Sequence, residues 1–439
     1  MIREMCGMPS RGPAAGRHGS GRRRSHAHPT RVVRACHTIT PLWIALLMCC
    51  GAAPASDLDP GRLSRIGPKM QEFVDQGEIA GAVTLVGRHD GVASLEAVGY
   101  RDLDKKIPMR TDSLFRIASM TKPITAIGIM ILADEKRLSI DDPVEKYLPE
   151  FRGLKLKTGG GSKPVGYKKP SRPITLRDLL THTSGMHGGL PRAPADLYVK
   201  RDHTLAEAVR LYAKEPLEFE PGTKWSYCNV GIDTLGRIIE VVSGQSYEGF
   251  LKQRVFDPLS MPDTCFYPTG EQKSRIAVTY NRQGGKLVRS QSDIIGLPPG
   301  AKFPIPAGGL YSTAGDLARV YRMMLNRGEL AGKRILSAAS VKEMTRVQTG
   351  DLTSGFTPGL GFGLGWGVVR EPQGVTAMLS PGTFGHGGAF GTQGWIDPHK
   401  DLVLVMLIQR IGLPNGDASP MRREFQAIAV SALVKAESR

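Results

Sequence analysis

Two short β-rich runs, Gly81 to Gly87 and Val92 to Val98, follow a stretch in which Leu63, Ile66, Met70, Phe73 and Val74 recur at helical spacing. The runs are joined through the turn dipeptide Asp90-Gly91, so the pattern predicts a helix and then a β-hairpin. A matching arrangement stands near the other end of the chain. Runs from Gly385 to Ile396 and from Leu402 to Ile408 flank the polar segment Asp397-Pro398-His399-Lys400-Asp401, and an amphipathic helix is predicted from about Arg422 to Val434. The economical reading is one antiparallel sheet made from both chain ends, with the terminal helices packed on it.

Between these ends the spacing turns helical. Thr121 to Lys136, Thr175 to Thr181, Thr204 to Tyr212, Ile232 to Val242 and Ala314 to Asn326 predict helices separated by long loops, and so a mostly helical lobe inserted into the sheet. The fold class that follows is α/β of the α+β type. Residues 155 to 172 are basic and rich in Gly and Pro, a composition that favours a flexible loop over packing.

Composition narrows the class. With 41% hydrophobic, 23% charged and 6% aromatic residues, the 439-residue chain is globular, neither disordered throughout nor fibrous. Its net charge is +17, of which the eight Arg and one Glu of residues 1 to 55 supply +7. The remaining surplus of basic groups reads as a solvated surface in preference to one suited to an anionic envelope or acidic substrates. Without zinc-finger spacing or a basic motif interleaved with aromatics, no nucleic-acid partner is expected.

Residues 1 to 55 read as a signal or targeting segment and 56 to 439 as the working domain. A basic stretch ending in Arg31 and Arg34 precedes an apolar core, Pro41 to Cys50, and the small-residue site Ala53-Pro54-Ala55. That core is well short of the ~20 residues a spanning helix needs, so a secreted or periplasmic protein without a transmembrane span in the mature chain is expected. Lipidation at Cys49 or Cys50 is the lesser alternative. Beyond the segment only Cys228 and Cys265 remain, either as a pair or as two small buried thiols.

Chemistry is suggested at three places. Ser119-Met120-Thr121-Lys122 opens the apolar helix, and a three-residue spacing puts the Lys122 amine on the face of the Ser119 hydroxyl. An amine kept neutral by burial could take the serine proton, although Ser119 could also simply cap the helix. Tyr227-Cys228-Asn229 precedes another helix; the phenol could move a proton and the amide could orient a partner, or Tyr227 could be a buried, satisfied side chain. Phe384 to Gly391, containing His386-Gly387-Gly388-Ala389, is dense in glycine. It permits close backbone approach to a ligand or forms a bulged edge strand. No metal site and no cofactor are implied, since His182 and His187 lack zinc-motif spacing and no nucleotide fingerprint occurs.

The order of these elements resembles the serine β-lactamase and penicillin-binding superfamily, specifically its class C-like branch of β-lactamases, DD-peptidases, D-aminopeptidases and family VIII carboxylesterases. The resemblance runs from about residue 60 to 430 and includes Leu114 to Ser119, Thr175 to Gly185 and Ala307 to Asp316. It implies Ser119 as the acylated nucleophile, Lys122 as its partner, Tyr227 as base or proton shuttle and Asn229 as a positioning group. The N–H groups of Ser119 and Ala389 would hold the oxyanion. Which of Lys122 and Tyr227 takes the first proton stays open at this level.

The third motif departs from the pattern. β-Lactamases of the branch carry Lys-Thr/Ser-Gly where this chain has His386-Gly387-Gly388, and the loss of a fixed ammonium weakens the grip on a carboxylate. Protonation of His386 near neutral pH would make activity pH-sensitive. A literal Lys157-Thr158-Gly159 lies out of order in the basic loop, with no strand expected around it. Arg410, past the last strand, is a candidate for binding an acidic group or a solvated side chain. The sequence thus points to a secreted serine hydrolase acting on a small ester, amide or β-lactam, esterase-like in preference. The rivals are a true β-lactamase or DD-peptidase, and a binding or sensing module that is acylated without turnover.

Overall fold

Alternation along the terminal strands sorts their side chains onto two faces, and the chain between them builds what covers one of those faces. A computed structural model describes residues 58–160, 163–188, 197–290 and 296–434. The expected signal segment, 1–55, lies outside them. In chain order, helix α1 (Ile66–Asp75) leads to β1 (Gly81–Gly87), β2 (Val92–Asp102) and β3 (Ile107–Pro108). Helix α2 (Thr121–Asp134) opens the lobe and is followed by β4 (Leu156–Gly160), β5 (Lys163–Lys168), α3 (Leu176–Leu180), α4 (Leu205–Tyr212), α5 (Asn229–Ser243) and α6 (Ala314–Leu325). The chain then returns to the sheet through β6 (Leu360–Phe362), β7 (Gly367–Val369), β8 (Phe384–Gly387), β9 (Gln393–Asp397) and β10 (Leu402–Leu407), and closes with α7 (Pro420–Ser431).

The strand order is β6-β7-β8-β9-β10-β1-β2-β3, so β10 and β1, from opposite chain ends, pair near the middle, with Val83 opposite Leu407. Both are buried along their whole length. On one face Val83, Leu85, Val403, Val405 and Leu407 join the core shared with the lobe; on the other Ala82, Val86, Leu402, Leu404 and Met406 meet Ile66 and Met70 of α1 and Phe425 and Ala429 of α7. Helix starts follow capping chemistry. Thr175 with Asp178 and Thr204 with Glu207 form capping boxes, and Ser419 caps α7 ahead of Pro420.

Two expectations change. The run from Gly385 to Ile396 is not one strand but β8 and β9 around a tight turn, closed by the Gly388 N–H donating to the Thr392 carbonyl at 2.8 Å. The basic segment also holds the β4–β5 hairpin instead of being loop throughout. Lys157 pairs with Tyr167, and buried Leu156 is flanked by backbone bonds to Leu217 on the neighbouring segment. Lys157-Thr158-Gly159 therefore does lie on a strand, though on this separate hairpin and not in the main sheet.

Candidate active site

α2 is apolar nearly all round and buried from Thr121 to Leu132, which carries Lys122 into the core at its first turn. Just before it, Ala118 takes a positive φ of 46°, a conformation costly for a residue with a Cβ, and is clamped there. The Thr121 hydroxyl donates to the Ala118 carbonyl at 2.7 Å, and the Thr392 hydroxyl to the Ile117 carbonyl at 3.2 Å. Ser119 thus sits on a fixed turn facing an open cleft of about 400 Å³, whose lining includes Tyr227, Phe356, His386, Ala389 and Asp417.

Lys122 Nζ lies 3.1 Å from Ser119 Oγ and donates to the Ala307 carbonyl at 2.7 Å. It is fully buried. Desolvation outweighs the pull of Asp233 and Cys228 and brings its pKa down to about 7, so much of the amine is neutral at neutral pH. Its nitrogen also lies 4.6 Å from the centre of the Tyr227 ring. Burial pushes the Tyr227 phenol above the ordinary tyrosine value, against a hydrogen bond with Ser119 that pulls it down. Of the two candidate bases only Lys122 titrates near neutrality.

Behind Lys122 stands a group the sequence reading missed. Asp233 of α5 is completely buried and accepts hydrogen bonds from the Tyr198 hydroxyl, from Tyr212 at 3.2 Å and from the Ala307 N–H at 2.9 Å. Burial raises its carboxyl to about 6 against those bonds and the attraction of Lys122. It holds, through the Ala307 N–H, the residue whose carbonyl accepts from Lys122. The signal was an acid within the apolar run Val230 to Ile239, one turn after Asn229. Asn229 itself opens α5, half-buried, and among the described residues its amide forms no hydrogen bond to Ser119, Lys122 or Tyr227.

Tyr227 is steadied from the side. The buried His182 ring lies 4.6 Å from it, centre to centre, and His182 Nδ1 accepts from the Cys228 N–H at 3.1 Å. Cys228 and Cys265 are both free thiols; Cys228 Sγ accepts from the Gly231 N–H at 3.3 Å.

The opposite wall is the β8–β9 turn. Gly388 packs so closely that a Cβ there would lie 2.5 Å from the Ile117 carbonyl, which brings Ala389 beside the nucleophile. Among the described residues neither the Ser119 N–H nor the Ala389 N–H is engaged by a backbone bond. His386 is buried, with Nδ1 2.6 Å from the Gly387 carbonyl and Nε2 without a hydrogen-bond partner among the described residues. Desolvation and the nearby Lys122 lower it to about 4, so the expected protonation near neutral pH does not arise there; that range belongs to Lys122. A Cβ at Gly387 would fall 1.7 Å from Asp417 Oδ1, so any side chain there requires the Asp417 carboxylate to move aside. Arg410 is neither a solvated group nor a cleft residue. It is buried and paired with Glu78 at 2.6 Å. Lys157 lines a different cavity with Tyr167, His187 and Tyr212.

A nucleophile, a buried amine that is neutral near pH 7, a phenol and two free N–H groups around one cleft form the kit of acyl transfer. Residues 68–427 match the Beta-lactamase family model, and the chain belongs to that family as a serine hydrolase. It is 35% identical over 361 residues to Protein Rv1367c of Mycobacterium tuberculosis, covering 77% of this chain and 88% of that one. It is 30% identical over 387 residues to Esterase EstB of Burkholderia gladioli, covering 80% and 94%. Among solved structures it is similar to EstCE1, described as a hydrolase with promiscuous acyltransferase activity, at 26% identity and a TM-score of 0.71 over 84% of this chain and 98% of that one.

Proposed function

We propose that the protein is an exported esterase-type hydrolase working through an acyl-enzyme on Ser119. The observation that carries this reading is the amine of Lys122, buried, lowered to about 7 and 3.1 Å from Ser119 Oγ. Neutral Lys122 takes the hydroxyl proton as Ser119 Oγ attacks the ester carbonyl carbon. The negative charge that develops on the carbonyl oxygen is met by the N–H groups of Ser119 and Ala389. As the tetrahedral intermediate collapses, the Lys122 proton passes to the departing oxygen, with the Tyr227 hydroxyl as the relay at the cleft side. Water then repeats the sequence on the acyl-enzyme and frees the acid.

An ester is favoured over a β-lactam by the third motif. His386 is neutral, Gly387 brings no hydroxyl, and Asp417 stands beside both, so that motif offers neither the ammonium nor the hydroxyl that would grip a substrate carboxylate. Esterase EstB among the relatives agrees with this choice. Residues 1–55 are proposed as the export segment on their basic, apolar and small-residue order.

The test is steady-state hydrolysis of a short-chain p-nitrophenyl ester beside a chromogenic cephalosporin, with Ser119→Ala as control. Ester turnover that the substitution abolishes, with little cephalosporin turnover, is the expected result. Fast cephalosporin turnover would move the protein to the β-lactamases, and a stable acyl-enzyme without turnover would make it a sensing module.

A further inference from the structure

Asp417 is a carboxylate that the acyl-transfer scheme leaves unused. It lines the same cleft as Ser119, in the turn Gly416–Ala418, where its own N–H donates to Asn415 Oδ1 at 3.0 Å. One carboxylate oxygen, Oδ1, accepts from Gln393 Nε2 at 2.8 Å. Among the described residues Asp417 forms no ion pair. The guanidinium nearest in sequence, Arg422, is fully buried, stacks 4.0 Å from the Trp395 ring centre and gives Nη1 to the Asp417 main-chain carbonyl at 2.5 Å. Its positive charge attracts the Asp417 carboxylate, but the side chain has no exposed surface and does not line the cleft. The other titratable groups that face Asp417 are His386 and Tyr227, both uncharged at neutral pH.

The same cleft is lined by Phe356, 43% exposed, whose ring stands at 71° to that of Tyr227 with 4.9 Å between centres. Asn415 Nδ2 donates to the Phe356 carbonyl at 2.7 Å, which ties the two loops together and fixes the spacing of acid and ring. An unpaired carboxylate and an exposed aromatic ring on one open cleft are the two surfaces that hold an organic cation, the first by charge and the second through its π face.

We infer that Asp417 and Phe356 form a subsite for a cationic nitrogen beside Ser119, so that the esters this enzyme takes best carry an ammonium group on the acyl or the leaving-group side. The inference rests on the esterase reading and adds the substrate's charge. Anionic acyl or leaving groups are disfavoured by the same carboxylate.

Two isosteric pairs test both sides of the scissile bond: acetylthiocholine against its uncharged carbon isostere, and the p-nitrophenyl ester of a trimethylammonio-alkanoic acid against its carbon isostere. In at least one pair the native protein should favour the cation in kcat/KM by about five- to tenfold, what one partly exposed charge pair with an aromatic contact is worth. Asp417→Asn, which keeps the shape and the acceptor for Gln393, should bring that ratio towards one. Raising the ionic strength should lower the ratio in the native protein, a readout that needs no variant. Equal rates within both pairs, or a preference that survives both Asp417→Asn and high salt, overturn the subsite and leave the esterase standing. Turnover of every ester that is unaffected by Ser119→Ala overturns the esterase reading itself.

Discussion

The wall of the cleft built by α2 and α5 is sealed and apolar around its polar groups, whereas the wall built by the β8–β9 turn and residues 413–417 leaves backbone and carboxylate facing open space. On the first wall Lys122 and Asp233 have no exposed surface, and each is shifted towards neutrality, one to about 7 and the other to about 6. On the second, Asp417 is half-exposed and lies over Gly387, while Gly388 is held against the Ile117 carbonyl with no space for a Cβ. The lobe thus tunes protons by desolvation, and the sheet edge shapes access by steric contact. Chemistry and selectivity are separated in space, so substitutions on the two walls should fail in different ways.

The largest effect belongs to the sealed wall. Ser119→Ala should lower kcat/KM for a p-nitrophenyl ester at least about a thousandfold with little change in thermal unfolding, read from parallel kinetics and calorimetry. Lys122→Met, which fills the same apolar space, should cost about a hundred- to ten-thousandfold in kcat. Retention of native kcat by Lys122→Met would move the proton-accepting role elsewhere and break the contrast between the walls.

The open wall should respond through packing. Gly387→Thr displaces the ends of the Asp417 and Gln393 side chains, so it should destabilise the protein by about 1 kcal/mol or less, measured as a small fall in Tm, and the added Asp417→Ala should recover most of it. Restoring Lys at 386 and Thr at 387 together is then expected to raise cephalosporin turnover only when Asp417 is also removed. Recovery without removing Asp417 would show that this wall yields more easily than its contacts suggest. The smallest effect is a shift, not a loss. Asp233→Asn removes a negative charge that raises Lys122, so the lysine's titration should move to lower pH by about one unit or less, read from the pH dependence of kcat/KM.

The sheet was legible because β1 and β10 alternate side chains between two cores, and both the Asp90-Gly91 and Asp397–Asp401 turns punctuate them. Ser119 and Lys122 were legible because the tight helical turn that leads into α2 brings residues three apart together. The turn inside Gly385–Ile396 was not, since glycines supply no alternation to break. The β4–β5 hairpin hid in a basic composition, although Leu156 anchors it among buried residues. Asp233 and Asp417 escaped for a shared reason: their roles depend on approach to Ala307 and Gly387, at distances in sequence where no periodicity links them.

Activation of Ser119 by a lysine kept neutral by burial is read from the pH dependence of kcat/KM for a neutral p-nitrophenyl ester. The rate is expected to rise with pH through a midpoint of about 7, because only the uncharged amine accepts the serine proton, and to lie about tenfold below the plateau one unit under the midpoint and about a hundredfold below it two units under. A rate that is flat across that range, or that falls as pH rises through 7, would contradict it.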